Sequence, residues 1–222
     1  MKNTTTHFGY DNLAFFGRIN ASISHELKNV MAVISETAGL LNDIAGMASA
    51  GTSVDPEMLK NSTQSIMEEI QRGFDTVRQM NRFAHSVDVP VDSVNLVELL
   101  DLMRKLTGYL AYAGKISLKP CADPQPVALT SPFILQEIIY QALVSSFKNS
   151  GPGAEIAVAV EAHNDQAWRI GFDGFCPKES DLFPDERTDT IASSIGIVVH
   201  FDRAAARLEL IVPKSIESTS AL

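Results

Sequence analysis

The chain has 222 residues, and its 27 acidic and 18 basic residues give a formal net charge of −9. That length fits one large domain or two modest ones, since single domains mostly run to roughly 100–200 residues. The apolar content of 45% is sufficient for a buried core. The acidic balance argues against nucleic acid or an anionic membrane as the main partner.

The cysteines and histidines indicate neither a disulfide framework nor a metal centre. Two cysteines, Cys121 and Cys176, are too few for a cysteine-rich zinc site. The histidines are scattered without the spacing of metal ligands; they are His7, His25, His85, His163 and His200. The N-terminus lacks the apolar run of a signal peptide, and no stretch has the length of a membrane helix. We therefore expect a cytoplasmic protein with reduced thiols and no metal of its own.

Two long helices are predicted within residues 1–87, where Pro56 is the only proline. The first runs from about Asp11 to Ala48, and its apolar residues cover about one third of its circumference: Ile19, Ile23, Leu27, Val30, Ile34, Ala38 and Leu41. Asp55 can cap the second helix, which ends near Val87. The stripe of the second helix is Leu59, Thr63, Ile66, Ile70, Phe74, Val77 and Ala84.

Two amphipathic helices cannot enclose a core by themselves. A second copy of the chain would supply two more helices, so a homodimeric four-helix bundle built from residues 1–87 is the simplest solution. The alternative is a hairpin that packs on the rest of its own chain.

From Asp88 onward the composition changes, and residues 88–222 read as an α+β domain. Strands are predicted at 115–118, 127–129, 156–160, 167–172 and 208–212, and helices at about 96–111 and 132–148. Asn164-Asp165 indicates a hairpin turn. The apolar run 191–201 fits either a helix or a buried strand.

The informative site is the run from Ser24 to Asn29, midway along the first helix. With Ile19 placed at 0° on a helical wheel, the apolar stripe centres near ~50° and His25 lies near ~240°, so the imidazole points into water. A neutral imidazole is a good nucleophile towards phosphorus. We hypothesise that Glu26 holds one ring nitrogen as N–H, that Asn29 binds a phosphoryl oxygen or positions a water, and that Lys28 supplies positive charge.

The stretch from Ile19 to Ile34, with His25-Glu-Leu-Lys-Asn29 at its centre, resembles the phosphoacceptor box of two-component sensor histidine kinases. That family has a dimerisation hairpin that carries this box, followed by an α/β ATP-binding domain. The resemblance covers about Asp11 to Pro213. Val30 departs from the family, which usually has a proline that bends the helix there.

The second half resembles the ATP-binding domain in outline but lacks its nucleotide-contact residues. Gln141 and Ser145 stand where the family has two asparagines, although Lys148 fits the pattern. A serine hydroxyl is a poorer Mg²⁺ ligand than an amide oxygen. Asp173-Gly174 is what remains of an Asp-x-Gly-x-Gly turn, and Gly196 stands alone where a glycine-rich phosphate loop is expected, so we interpret Gly196 as a packing residue.

The resemblance therefore implies an all-α dimerisation hairpin followed by a degenerate α+β sandwich domain of the histidine-kinase ATPase type. It also implies a histidine phosphotransferase of a phosphorelay, in which His25 receives a phosphoryl group from one response-regulator receiver domain and passes it to another. The receiver would supply Mg²⁺, and the protein would need no nucleotide of its own. Ala21, Lys28, Asn29 and Ala32 share the face of His25 and are candidate docking contacts. About ten residues precede the first helix, which leaves no room for a sensor domain.

Three alternatives remain open. The chain could be an ATP-dependent histidine kinase with a divergent pocket, or a receiver phosphatase in which Glu26 and Asn29 orient a hydrolytic water. It could also be a dimeric scaffold whose histidine is unused.

Overall fold

A computed structural model of the chain describes residues 4–108, 114–150, 153–174, 183–202 and 205–216. The chain divides into two compact units, Met1–Arg82 and Phe83–Leu222. The predicted order, a helical hairpin followed by an α+β domain, is confirmed. Cys176 lies outside the described residues.

The first unit contains α1 (Thr4–Ser49) and all but the last two residues of α2 (Pro56–Ala84), and a short 3₁₀ turn (His85–Val87) follows α2. At 1.5 Å per residue, α1 is about 69 Å long and α2 about 44 Å. The expected start near Asp11 is wrong, because no proline or other stop signal interrupts the helix before that residue. The cap prediction is confirmed, since the Asp55 carboxylate accepts a hydrogen bond from the Glu57 N–H at 2.9 Å.

Within one chain, the two helices bury only part of their apolar stripes. The residues that α1 buries are Phe15, Ile19, Ile23, Val30 and Ile44. Phe83, next to the last residue of α2, is fully buried, and the buried positions earlier in α2 are small or polar, namely Ser62, Gly73 and Thr76. The predicted stripe of α2 is instead largely exposed: Leu59 41%, Ile70 43%, Phe74 61% and Val77 37%. The wheel explains this difference, because the buried positions lie roughly 80° away from the centre of that stripe.

The second unit has seven strands and three helices in its described part. In chain order they are β1 (Asp92–Asn95), α3 (Leu96–Leu106), β2 (Gly114–Leu118), β3 (Val127–Thr130), α4 (Pro132–Ser150), β4 (Ala154–Asn164), β5 (Ala167–Asp173), α5 (Glu186–Ser194), β6 (Val198–Asp202) and β7 (Arg207–Pro213). The strand predictions are confirmed, and the ambiguous run 191–201 contains both the end of α5 and most of β6.

The sheet has the order β2-β4-β5-β7-β6, and β1 pairs with β3 in a separate two-stranded ribbon. β2 runs parallel to β4, whereas the other pairs in the large sheet are antiparallel. Alternate residues of the large sheet are buried, including Ile156, Val158, Ile170, Phe172, Leu208, Leu210 and Val212. Helices α3 and α4 contribute further buried apolar residues: Leu99, Met103, Leu135, Ile138, Ile139 and Leu143.

Candidate functional site

His25 lies on the outer face of α1, as the wheel predicts. Its side chain is exposed, whereas Ile23 and Val30 on the opposite side of the same helix are 4% and 0% exposed. The imidazole is therefore accessible to a partner and is carried by a rigid element with a buried reverse side. Ala21, Lys28 and Ala32 are also exposed along this face.

Asn29 is the residue that orients the imidazole. Its Nδ2 atom lies 3.3 Å from His25 Nδ1, and both side chains are exposed. The contact joins residues i and i+4, which are neighbours on one helical face. This leaves Nε2 as the ring nitrogen on the opposite side of the imidazole from Asn29.

Glu26 does not hold the imidazole, and that hypothesis is wrong for this structure. Its Oε1 atom instead accepts hydrogen bonds from Arg72 Nε at 2.9 Å and from Arg72 Nη2 at 2.5 Å. The reason is geometric, because consecutive helical residues point about 100° apart and Glu26 is turned towards α2. Arg72 also contacts Glu69, with 3.4 Å between Nη1 and Oε1.

The pKa of Arg72 is raised above its ordinary value, first by the hydrogen bond to Glu26, although burial acts in the opposite direction. The Glu26–Arg72–Glu69 cluster was not predicted from the sequence. Arg72 lies 46 residues from Glu26, and no local motif marks that distance.

The helices approach each other closely behind the site. Val30 is fully buried, and a Cβ atom added to Gly73 would lie 3.3 Å from Val30 Cγ1. α1 continues without interruption past Val30, where the resembling family has a proline. The histidine therefore lies on a regular helix backed by a tight helix–helix contact.

The positions that the family resemblance aligns with nucleotide contacts lie on several different elements of the second unit. Gln141 and Ser145 are half-buried on α4, and the neighbouring Ser146 is fully buried and donates to the Ala142 carbonyl at 2.7 Å. Gly196 does more than pack. It adopts a φ of +70° and ends α5, where its N–H donates to the Ser193 carbonyl.

Asp173 at the end of β5 is engaged by two cations. Its carboxylate accepts hydrogen bonds from Arg207 Nε at 2.5 Å and from Lys119 Nζ at 2.5 Å. These contacts, with that of Arg207 the largest, hold the pKa of Asp173 at about 2, although burial acts to raise it. Gly174 has a φ of +92°, and a Cβ there would lie 2.7 Å from the Glu155 carbonyl oxygen, so the backbone requires glycine. The Asp-Gly pair thus has a structural reason to be present.

Among the described residues, no group of three or more His, Cys, Asp or Glu side chains is arranged to hold a metal ion. In the same parts of the chain, no helix combines the length and apolarity needed to cross a membrane.

Comparison with known proteins gives structural similarity only. No protein-family model matches the chain, and no curated protein matches it. The catalytic domain of histidine kinase ThkA aligns with a TM-score of 0.47 and 12% identity, over 58% of this chain and 99% of that one. Histidine kinase AdeS of Acinetobacter baumannii aligns with a TM-score of 0.44 and 10% identity, over 85% of this chain and 96% of that one.

A further similar structure is ThkA in complex with the response regulator protein TrrA, with a TM-score of 0.47 and 15% identity. It covers 97% of this chain and 69% of that chain. At these identities and TM-scores the likenesses assign no activity to this chain.

Proposed function

We propose that this protein is a dimeric phosphorelay histidine phosphotransferase in which His25 carries the phosphoryl group between receiver domains of response regulators. The observation that carries the proposal is the exposed imidazole on α1, with Nδ1 3.3 Å from Asn29 and Nε2 on the other side of the ring. That arrangement suits an incoming protein surface better than a small molecule, because the residues around the imidazole form an open helical face.

The reaction is a pair of in-line substitutions at phosphorus. In the first, the unprotonated ring nitrogen of His25 attacks the aspartyl phosphate of the donor receiver while the other ring nitrogen keeps its proton; an N–P bond forms, and the O–P bond breaks with its electron pair returning to the aspartate carboxylate. In the second, the carboxylate of an acceptor aspartate attacks phosphorus, a new O–P bond forms, and the N–P electron pair returns to the same ring nitrogen. Catalysis of this kind depends mainly on positioning and charge neutralisation. The receiver would supply Mg²⁺, and Lys28 would add positive charge beside the phosphoryl group.

Transfer without ATP is supported by the second unit. Ser145 replaces an amide side chain at a position that the resemblance assigns to Mg²⁺ and triphosphate, and the Asp173 carboxylate already accepts from Arg207 and Lys119. A ligand that used Asp173 would have to displace two internal cations. This weakens the case for the kinase alternative.

Homodimer formation is supported by exposed apolar side chains along α2, with Phe74 61% and Met67 66% exposed in the single chain. α1 adds further exposed apolar side chains, including Met31 at 61%. A stripe of this length on a helical hairpin is the kind of surface that a second hairpin covers in a four-helix bundle.

The test is phosphotransfer profiling with the purified 222-residue chain and a panel of receiver domains carrying a radiolabelled aspartyl phosphate. His25→Gln should lose transfer by more than about 100-fold, because no nucleophile remains at that position. His85→Gln is the matched control, since His85 is also exposed and lies after α2. Label should appear on the wild type and on the His85 variant as an acid-labile phosphoramidate.

Three outcomes would contradict the proposal. Direct labelling of His25 by ATP would favour the kinase alternative. Release of inorganic phosphate that persists in His25→Gln would favour the phosphatase alternative. Wild-type protein that takes no label from any receiver of its organism would favour the scaffold.

A further inference from the structure

Two cations on the outer face of α1 have no partner within the described part of the chain. The side chains of Arg18 and Lys28 are exposed, and among the described residues they make neither a hydrogen bond nor an ion pair. Other cations of the hairpin are paired, as Arg72 is with Glu26. In a chain with 27 acidic and 18 basic residues, a cation that stays unpaired is available to an anionic partner.

Arg18 and Lys28 lie on opposite sides of His25 along one face of the helix. On the helical wheel Arg18 is about 20° from His25 and Lys28 about 60° from it. Along the axis, Arg18 is about 10.5 Å from His25 towards the N-terminus, and Lys28 is about 4.5 Å from it towards the C-terminus. Ala21 and Ala32, which are also exposed on this face, have short side chains. A partner surface can therefore approach the helix closely around the imidazole.

The charge of this face changes sign farther along the helix. Glu36 and Asp43 lie within about 20° of His25 on the wheel, about 16.5 Å and 27 Å from it along the axis. Both are exposed, and neither has a hydrogen bond or an ion pair to another described residue. The outer face of α1 is thus positive around His25 and negative towards its C-terminal end. An acidic surface is attracted to the first part and repelled by the second.

We propose that Arg18 and Lys28 form a basic docking strip around His25, and that its partner is the acidic surface surrounding the aspartyl phosphate of a receiver domain. The identity of the partner rests on the proposed function. An aspartyl phosphate is anionic, and a site that holds Mg²⁺ beside it is built largely from carboxylates, so the charges of the two surfaces are complementary. Lys28 is within one turn of His25, whereas Arg18 is two turns away and serves docking only.

Arg18 should therefore act on the encounter with the receiver and not on the substitution at phosphorus. Exposed charge pairs are individually weak, but they steer association between oppositely charged surfaces, and salt screens them. Loss of the charge at Arg18 should raise the KM for a phosphorylated receiver by about 2- to 5-fold and leave kcat unchanged. The difference from the wild type should largely disappear in about 1 M salt, where the screening length is about 3 Å.

The test compares transfer to the 222-residue wild-type chain and to Arg18→Gln over a range of phosphorylated receiver concentrations. Arg18→Lys restores the charge and should return the KM towards the wild-type value. Lys115→Gln is the matched control, because Lys115 is also exposed and unpaired among the described residues but lies on β2 of the second unit. Phosphoramidate, a small phosphodonor that needs no docking surface, should label His25 in each variant at the wild-type rate.

Three results would overturn the docking role of Arg18. The first is a KM for Arg18→Gln no higher than that for Lys115→Gln. The second is slower labelling of Arg18→Gln by phosphoramidate, because the substitution would then disturb the helix or the chemistry. The third is a rise in KM that is the same at low and high salt, since an electrostatic contact between exposed groups is screened.

Failure of this inference is distinguishable from failure of the proposed function. Isothermal titration with unphosphorylated receivers measures docking without transfer. If His25→Gln keeps full transfer while Arg18→Gln weakens receiver binding, the proposed function fails and the docking strip stands. If His25→Gln loses transfer while Arg18→Gln changes neither KM nor receiver binding, only the docking strip fails. If the wild type binds no receiver of its organism, both fail.

Discussion

Replacement of Asp173 by asparagine tests whether this carboxylate serves the fold. The side chain is 28% exposed and lies between Arg207 on β7 and Lys119 after β2. Arg207 stands directly across from it in the antiparallel register of β5 and β7. Asparagine preserves the shape of the side chain and removes its charge, so the change in stability reports on the two ion pairs.

The magnitude follows from the pKa of Asp173, which is about 2 in the folded chain and 3.8 ordinarily. A depressed pKa means that the ionised form stabilises the fold above pH 3.8 and that this contribution is lost as the pH falls towards 2. The difference of about 1.8 corresponds to about 2 kcal/mol. Solvent screening at a partly exposed site reduces this to about 1–2 kcal/mol at pH 7. At pH 3 roughly half of the effect should remain.

The assay is urea unfolding of the 222-residue chain, monitored by the fluorescence of Trp168. The chain has one tryptophan, and Trp168 is 4% exposed on β5, so the signal reports on the second unit. The control is Asp165→Asn in the turn between β4 and β5, which should change stability by less than about 0.5 kcal/mol. The reasoning is refuted if Asp173→Asn is as stable as the wild type at pH 7, or if the difference is the same at pH 7 and pH 3.

Two further predictions concern the dimer and a buried ion pair. Phe74→Asp should weaken dimerisation by at least about 100-fold, because the proposed dimer would bury one phenyl ring from each chain, worth about 1.5–3 kcal/mol each. Analytical ultracentrifugation should show this loss while Asn61→Asp, on the opposite side of α2, stays dimeric; equal behaviour of the two variants would contradict the four-helix bundle. Arg187→Met should lower the stability of the second unit by up to about 3 kcal/mol, and by more than Glu137→Gln does, because it removes a cationic partner of a carboxylate that is 1% exposed. Urea unfolding monitored by Trp168 fluorescence measures the stability of both variants. A larger loss of stability in Glu137→Gln than in Arg187→Met would contradict this order.

Features that depend on local sequence were predicted correctly. The exposure of His25 follows from helical periodicity, and the Asp55 cap follows from the residues that surround it. The strands of the second unit follow from their β-branched runs and from the turn at Asn164-Asp165. These features need only the positions of near neighbours in the chain.

Features that depend on distant residues were missed or wrong. The partner of Glu26 is 46 residues away on α2, and the cations on Asp173 lie 34 and 54 residues from it. Pairings of this kind depend on the packing angle of two helices or on the register of non-adjacent strands, neither of which periodicity specifies. Adjacency in the sequence favours a contact between Glu26 and His25, yet the side chains of adjacent helical residues diverge.

The unbroken course of α1 through Val30 has a practical consequence for measuring the site. Each residue from 26 to 30 has a backbone N–H, and that of Val30 donates to the Glu26 carbonyl in the regular i to i−4 pattern. A proline at that position would remove this amide and introduce a hinge. Amide hydrogen exchange can therefore follow the opening of the helix residue by residue around the imidazole. Because α1 has no hinge at this point, any bending needed for docking has to come from the partner or from local unfolding of the helix. Slow exchange of the Val30 amide would show that the helix stays closed, and it would assign the bending to the partner.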